Sequence, residues 1–277
     1  MEHMFEVDTI PNPSSDQLEA IDRQFDFLPV VNDSPEHLSA EQIESFNNQG
    51  YLMPFDGLSD EETYGLRAFF DVILAGAGNQ GSYSISTAHL RFGRIYDLMS
   101  HPRILGPICD LLGPNVVAWG AHFFCKLPRD GKQLAWHQDA AYWPLTPTRT
   151  ITVWLALDDA TPENANMRFI PRSHLHGFID YEQTDDEREV LNLAVRNPER
   201  YGDAPIDATL AAGEFSMHND LLLHGSESNE SVHRRCGLTM RYAPAEVRAF
   251  HDWRNKGIVV RGHDASGHWA NHPRPVH

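Results

Sequence analysis

The chain has 277 residues, of which 41% are hydrophobic, and its formal net charge is −17. A chain of this length can bury a substantial core, and all-β barrels of similar length are commonly one domain. The negative charge argues against a nucleic-acid partner, because phosphate binding needs a basic face and no run of Lys or Arg is visible. We therefore expect one domain spanning residues 1–277.

The sequence also indicates where in the cell the protein is expected and whether its cysteines are expected to form disulfides. No apolar run approaches the roughly 20 residues that a membrane helix requires. The segment Met1–Glu6 lacks the cationic and apolar character of a secretory signal. Cys109, Cys125 and Cys236 are odd in number and lie in apolar contexts, which favours buried free thiols. We expect a cytoplasmic protein without a membrane partner, and the sequence leaves homo-oligomerisation open.

The first part of the chain predicts an arm followed by helices. Residues 1–38 contain several prolines and no sustained period, so we expect an N-terminal arm that runs over the surface. Capping-box sequences at Ser39–Gln42 and Ser59–Glu62 indicate two helix starts. A third helix is expected to begin near Pro102 and to end at Gly113.

Beyond Gly113, short β-branched and aromatic runs alternate with Pro, Gly, Asn and Asp. We expect strands around residues 115–127, 133–139, 150–157, 166–171, 207–217, 220–224 and 235–243. Such a series is typical of a sandwich or barrel. An acidic insertion at residues 178–206 interrupts it, and we expect a solvated helical loop there, with a lid over the open end of the barrel as the alternative.

Two His-x-Asp triplets are present, His137–Asp139 and His218–Asp220, whereas composition alone predicts about 1.3. In a strand, residues two apart share a face, so either pair could hold one metal ion. His224 follows a short apolar run and could complete the first pair. The second pair would need a histidine from the tail beyond residue 250, which shows no convincing β-run. We favour the first pair and expect His218 to be a hydrogen-bonded structural histidine.

Arg235 connects this metal site to a second ligand. Two imidazoles and one carboxylate leave one face of a metal open, as in non-heme Fe(II) oxygenases. In a strand, Arg235 shares a face with Gly237, Thr239 and Arg241, whereas Arg234 faces the other side. A buried guanidinium needs an anionic partner, and arginine binds a carboxylate through two parallel hydrogen bonds. A dicarboxylate that chelates the metal would supply this partner, and an ordinary ion pair is the alternative.

The sequence resembles the phytanoyl-CoA dioxygenase family of Fe(II)- and 2-oxoglutarate-dependent oxygenases. The resembling segments are Gly50–Tyr51, Trp136–Leu145, Thr152–Asp159, Arg168–His174 and His224–Arg235. The resemblance implies a mainly β fold, a double-stranded β-helix or jelly-roll barrel, with N-terminal helices that buttress one sheet.

The resemblance also implies roles for individual residues. It implies that Fe(II) is held by His137, Asp139 and His224. It further implies that Arg235 and Ser226 bind the far carboxylate of 2-oxoglutarate, and that Trp154 and Lys126 line the cosubstrate pocket. The implied reaction consumes O2, releases succinate and CO2, and hydroxylates a small-molecule substrate.

Three positions bear on how far the resemblance extends. Ala165 and Arg172 stand where many relatives have glycine, so substrate preference is not carried over from them. Asp139 is present, whereas halogenating relatives have a small residue at that position. Halogenation is therefore disfavoured.

The substrate is the least constrained part of the interpretation. Residues expected near the open end of the barrel are Tyr142, Trp143, His122, Arg91, Arg94, Arg149 and Arg168. Converging arginines would favour a small anionic or zwitterionic metabolite such as a carboxylate or phosphonate. Converging aromatic residues would favour a quaternary ammonium or a bulky secondary metabolite. An acyl thioester is less favoured, because no basic cluster suits the coenzyme A phosphates.

Other activities remain open at this level. The same site could desaturate, epoxidise or cyclise its substrate, and the sequence does not separate these outcomes from hydroxylation. A catalytically silent jelly-roll that binds a metal or a small acid is the non-enzymatic alternative.

Overall fold

The computed structural model describes residues 10–77 and 81–276. The α-helices are α1 Ser15–Glu19, α2 Ala40–Gln49, α3 Asp60–Ala77, α4 Gly81–Ser84, α5 Ala88–Arg91, α6 Gly93–Leu98 and α7 Pro102–Leu112. The first seven strands are β1 Tyr51–Asp56, β2 Val116–Lys126, β3 Leu134–His137, β4 Leu145–Thr146, β5 Ile151–Ala156, β6 Met167–Phe169 and β7 Glu182–Gln183. The remaining strands are β8 Leu193–Ala194, β9 Ile206–Ala208, β10 Glu214–Asn219, β11 His224–Ser226, β12 Arg235–Pro244, β13 Arg248–Ala249 and β14 Ile258–Arg261.

The three predicted helix starts are confirmed. At the start of α2 the Ser39 hydroxyl accepts the Gln42 amide hydrogen, and the Gln42 side chain accepts that of Ser39. Ser59 and Glu62 make the same reciprocal pair before α3. Each pair satisfies two of the amide groups that a helix start leaves without partners. Within the described residues, no helix is long and apolar enough to cross a membrane.

The larger sheet is antiparallel, with the order β1-β10-β5-β12-β2-β14. Successive side chains point to opposite faces of this sheet. One face packs against α2, α3, α6 and α7 and forms the main core with them. Examples of this core are Phe46, Leu66, Phe70, Ile108, Phe123, Val153, Met217 and Leu238. The helices therefore cover one face of this sheet, as expected.

The inner face of the larger sheet lines a central cavity. A second antiparallel sheet, in the order β3-β11-β6-β9, lines the same cavity from another side. The inward positions of β12 and β5 carry polar or aromatic side chains, such as Arg235, Thr239, Thr152 and Trp154. The mainly antiparallel β architecture with buttressing helices is therefore confirmed.

Two of the predicted strands differ from those observed. Residues 220–223 form a turn rather than a strand, because the Asn219 side chain accepts the Leu221 amide and the Asn219 carbonyl accepts that of Leu222. β11 begins only at His224. The run at 207–217 divides into β9 and β10, since a turn with Gly213 at a positive φ of 93° separates them.

Two edge strands of the larger sheet were not predicted. β1 contains Pro54, which argues against a central strand but is tolerated at the sheet edge where β1 pairs with β10. β14 pairs with β2, so the expectation that the tail holds no β-run is wrong. None of the described histidines of the tail lines the cavity.

The arm and the insertion also differ from expectation. The arm contains α1, whose capping box joins Ser14 and Gln17, and residues 1–9 lie outside the described residues. Residues 178–206 contain no α-helix, and their helical part is a short 3-10 turn at Pro198–Tyr201. They contain the β7–β8 hairpin, and the Asp186 carboxylate accepts the Arg188 amide in the turn between these strands.

Arg172 occupies a left-handed backbone conformation with φ of 70°. The Cβ of an L-residue is strained there, which explains why glycine suits this position. Because Arg172 is exposed, Arg172→Gly should raise the free energy of unfolding by about 0.5–1 kcal/mol. Arg103 is an exposed arginine in the right-handed helix α7, so Arg103→Gly should have the opposite effect. Urea denaturation of both variants checks the signs, and destabilisation by Arg172→Gly would contradict the strain argument.

Candidate active site

Three side chains, from β3, from the turn that follows it and from β11, converge at one end of the smaller sheet. His137 ends β3 and lies opposite His224, the first residue of β11, in the antiparallel register. Asp139 follows β3 in a short 3-10 turn. The His137 Nε2 and His224 Nε2 atoms lie 4.0 and 3.9 Å from Asp139 Oδ1. These three atoms lie within 4.8 Å of one another, which is close enough for one metal ion to join them.

Backbone contacts prepare both imidazoles to bind a metal. The Nδ1 atom of His137 is 2.7 Å from the Ala135 carbonyl oxygen, and that of His224 is 3.0 Å from the Leu222 carbonyl oxygen. Since a carbonyl only accepts, each Nδ1 carries the proton and each Nε2 presents a lone pair. Burial, followed by the neighbouring imidazole, lowers the pKa of His137 to about 3. The pair is thus held in the neutral form that a metal requires.

Asp139 stays ionised despite its burial. Burial raises the pKa of this carboxyl, but His218, His224 and Arg241 outweigh that effect and hold the pKa below its ordinary value. The Thr152 hydroxyl donates a 2.9 Å hydrogen bond to Asp139 Oδ2, which leaves Oδ1 directed at the two imidazoles. Two neutral imidazoles and one carboxylate suit Fe(II), so the chemistry of the donor set fits this metal.

Thr152→Val should weaken metal binding without unfolding the protein. Valine keeps the shape but removes the hydroxyl that orients Asp139, and loss of such an outer partner lowers metal affinity by about 10- to 100-fold. Thr150→Val is the matched control, because the buried Thr150 hydroxyl has no hydrogen-bond partner among the described residues. Fe(II) titration of both variants measures the difference. Equal affinities would show that the Thr152 hydroxyl does not position the carboxylate.

His218 lies beside the triad, with its ring 4.6 Å from that of His224. Its Nε2 atom is 3.7 Å from Asp139 Oδ2, which is too long for a hydrogen bond. Neither ring nitrogen has a hydrogen bond of ordinary length among the described residues, so His218 contacts Asp139 electrostatically and the expectation of a hydrogen-bonded structural histidine is not confirmed. The competing pair is also separated, because Asp220 accepts the Thr150 amide and is absent from the cavity lining.

The triad opens into a cavity of about 780 Å³ between the two sheets. This volume falls in the range typical of small-molecule sites. Parts of the wall come from distant segments of the chain, namely residues 10–15 of the arm, residues 190–193 of the insertion and Trp253 with Lys256.

One end of the cavity contains the predicted cosubstrate residues. Arg235 and Lys126 face each other across the β12–β2 ladder, and both are buried. Arg235 donates from Nε and Nη2 to the Ala165 carbonyl oxygen, and no described carboxylate pairs with it. Lys126 donates to the backbone carbonyls of Ser226 and Glu227, and burial, followed by the charge of Arg235, lowers its pKa to about 7.

Trp154 forms the floor of this end. The Arg235 guanidinium lies 5.3 Å from the Trp154 ring centre. Gly237 leaves space for the indole, since a Cβ at this position would be only 2.1 Å from Trp154. Arg235, Lys126, Ser226 and Trp154 therefore line the same cavity as the triad.

The residues predicted for substrate binding divide into two groups. Tyr142, Trp143 and His122 line the cavity. The four arginines do not, because each is held elsewhere. Arg91 donates to the Ser86 carbonyl, Arg94 lies over Phe69, Arg149 pairs with Glu246 and Arg168 pairs with Asp207. Arg94 and Arg149, which the sequence placed near the substrate, therefore lie outside the lining of the cavity that contains the triad.

Two cationic residues that line the cavity, Arg241 and Lys256, were not predicted as site residues. Arg241 lies on the same face of β12 as Arg235, and Lys256 follows Trp253 in a 3-10 turn. The alternation of side chains along the predicted strand already placed Arg241 on the same face as Arg235, so the sequence could have indicated this residue. Lys256 had none, since its position depends on how the tail folds back against β2.

Comparisons with known proteins show the family to which the sequence is related. The family model described as phytanoyl-CoA dioxygenase matches residues 46–237. A probable alpha-ketoglutarate-dependent hypophosphite dioxygenase of Stutzerimonas stutzeri is 28% identical over 166 residues, which cover 59% of this chain and 57% of that protein. L-proline trans-4-hydroxylase of Streptomyces griseoviridis is 26% identical over 59% of this chain and 68% of its own length.

Solved structures show the same architecture. The apo structure of the non-heme monooxygenase ThoJ superposes with a TM-score of 0.71 at 28% identity, and the match covers 84% of this chain and 88% of that one. EctD from S. alaskensis, solved with 2-oxoglutarate and 5-hydroxyectoine, gives a TM-score of 0.67 at 21% identity, with 87% and 89% of the two chains covered. The EctD likeness is evidence for the fold alone.

Proposed function

Because this chain belongs to the phytanoyl-CoA dioxygenase family, we propose that it is an Fe(II)- and 2-oxoglutarate-dependent dioxygenase that hydroxylates a small organic molecule. The observation that carries the proposal is the pairing of two features in one cavity. A His-His-Asp group able to hold a metal opens toward a buried arginine that has no described carboxylate partner.

The residues at the metal end hold and orient the cofactor. When bound, Fe(II) together with 2-oxoglutarate activates O2, with release of succinate and CO2 and transfer of one oxygen atom to the substrate. His137 and His224 supply neutral nitrogen ligands through Nε2, and Asp139 supplies a carboxylate oxygen. Three protein ligands leave the remaining coordination positions for small molecules.

The residues at the opposite end position the cosubstrate. Arg235 can bind the far carboxylate of 2-oxoglutarate through its remaining N–H groups, and Lys126 and Ser226 border the same space. Trp154 lies beneath the guanidinium and excludes water from one side. Arg235 would thus fix one end of 2-oxoglutarate, while the other end would bind the metal that the triad holds.

The insertion at residues 178–206 is proposed to act as a lid. Residues 190–193 form part of the cavity wall, and the Tyr142 hydroxyl donates to the Leu193 carbonyl oxygen at 3.3 Å. A segment in this place would have to move for a substrate to enter.

Names of similar proteins narrow the class of substrate. The relatives reported above are named for hypophosphite and L-proline, both small molecules. The cavity of about 780 Å³ must also contain 2-oxoglutarate, which favours a small substrate here as well.

The proposal is tested with the purified protein under anaerobic conditions. Addition of Fe(II) and then 2-oxoglutarate should produce a visible charge-transfer absorption band, and exposure to O2 should release succinate. EDTA should remove both signals. Absence of both from the folded protein would contradict the proposal. A screen of phosphonates, amino-acid derivatives, betaines and acyl thioesters should then identify a compound that accelerates succinate release and gains one oxygen atom.

A further inference from the structure

The described lining of the cavity carries more cationic than acidic side chains, although the whole chain carries a net charge of −17. Among the described residues, four cationic side chains line it: Lys126, Arg235, Arg241 and Lys256. Among the described residues of this lining, Asp139 is the only carboxylate, and it is one of the three residues placed at the metal. Arg235 is buried and Arg241 is half-buried, and neither forms an ion pair with a described carboxylate, so each could be stabilised by an anionic ligand.

The cations form two separate groups. Arg235 pairs in register with Lys126, whereas Arg241 pairs with Gly120 and Thr152. Arg235 and Arg241 are six residues apart on β12, so their guanidinium groups lie in separate parts of the cavity. Because Thr152 hydrogen-bonds Asp139, Arg241 lies at the level of the triad. Arg235 and Lys126 lie toward the far end. A single 2-oxoglutarate at the Arg235 end therefore does not reach Arg241, whose nearby carboxylate, Asp139, is directed at the two imidazoles.

Two aromatic rings hold the Arg241 side chain in place. Its guanidinium lies 5.1 Å from the Trp143 ring centre and 5.8 Å from that of Trp119, and the two indoles pack edge to face. Gly120 leaves room for the arginine side chain, since a Cβ there would be 3.3 Å from Arg241 Cδ. This frame fixes the direction of the guanidinium before any ligand arrives.

The hydrogen-bonding capacity of Arg241 is largely unused. Its buried Nε has no hydrogen-bond partner in the described part of the chain. Asp139, the nearest candidate acid, is engaged through Oδ2 by Thr152 and turns Oδ1 to the imidazoles. Among the described residues, no carboxylate oxygen lies within 4.0 Å of a nitrogen of the Arg241 guanidinium. An oxyanion would satisfy a guanidinium in this position.

The surrounding wall suits a small anion with an apolar part. Trp119, Trp143 and Trp253 line the cavity near Arg241, and the Lys256 ammonium lies 3.7 Å from the Trp253 ring centre. The arm closes this side, since the Trp253 indole N–H donates to the Pro11 carbonyl oxygen at 3.2 Å. Arg241, Trp253, Lys256 and the arm all lie outside residues 46–237, the range that the family model matches.

We propose that Arg241 is the substrate anchor, and that it binds a carboxylate or phosphonate group of a small substrate beside the triad. This inference rests on the proposed function, because it assumes that 2-oxoglutarate occupies the Arg235 end. The tryptophans that frame Arg241 contact the apolar part of the substrate.

The test compares matched acids and amides on the whole chain. The protein is loaded with Mn(II), which blocks turnover, and with saturating 2-oxoglutarate, which occupies the Arg235 end. Butyrate, propylphosphonate and butyramide are then titrated while tryptophan fluorescence is recorded. We expect at least one acid to bind about 10- to 100-fold more tightly than the amide, the range for one charged hydrogen-bonded contact. The acid that binds more tightly distinguishes a carboxylate from a phosphonate site.

Variants assign that preference to one arginine. Arg241→Gln should abolish the preference for the acid, Arg241→Lys should retain part of it, and 2-oxoglutarate affinity should be unchanged in both. Arg149→Gln is the matched control, because Arg149 lies outside this cavity and pairs with Glu246. The inference is overturned if no acid binds the wild type, if acid and amide bind equally, or if the preference survives in Arg241→Gln. Failure of 2-oxoglutarate itself to bind would instead count against the proposed function.

Discussion

Replacement of His137 by alanine should abolish both the charge-transfer band and succinate formation. The variant keeps only two of the three ligand atoms that converge on one point. Loss of an outer-shell partner alone lowers metal affinity by about 10- to 100-fold, so loss of a direct ligand should exceed that range. Fe(II) titration followed by anaerobic addition of 2-oxoglutarate measures both consequences.

The control for this variant is another histidine. His263 is exposed and lies outside the cavity lining, so His263→Ala should bind Fe(II) like the wild type. The melting temperature of metal-free His137→Ala shows whether the fold is retained. A folded His137→Ala protein that still gives the band would show that the ligand set is wrong, and His218 would then be the next residue to replace.

Replacement of Arg235 by alanine should weaken 2-oxoglutarate binding while it spares Fe(II). The guanidinium is buried and has no described carboxylate partner, so the far carboxylate of the cosubstrate is its expected partner. Charged hydrogen bonds contribute about 1.5–3 kcal/mol each, and loss of a two-bond contact should raise the Kd by roughly 100-fold or more. The Kd for 2-oxoglutarate, measured with Mn(II) bound, checks this expectation.

Arg234 supplies the sharpest comparison, because it is the adjacent residue on the opposite face of the strand. Its guanidinium pairs with Asp158 and Asp71. Arg234→Ala should therefore lower stability but leave the 2-oxoglutarate Kd unchanged. If Arg235→Ala binds 2-oxoglutarate normally, another cation in the cavity, Lys126 or Arg241, holds the carboxylate instead.

Local sequence patterns predicted most of the elements that surround the site. The capping boxes at Ser39 and Ser59 located two helices, since they depend on contacts three residues apart. The period of two along β12 correctly separated Arg234 from Arg235. The turn at Asp220–Leu223 was missed, because three consecutive leucines resemble a strand while the Asn219 side chain bends the backbone.

The sequence by itself determined the types of ligand and their local order, because a histidine and an aspartate two residues apart can share one metal. Only the tertiary structure decided which of the two pairs meets His224, since that depends on β3 pairing with β11 in one register. It also decided that Arg94 and Arg149 point away while Arg241 and Lys256 line the cavity. These positions are set by contacts between residues far apart in the chain, and no local pattern encodes them.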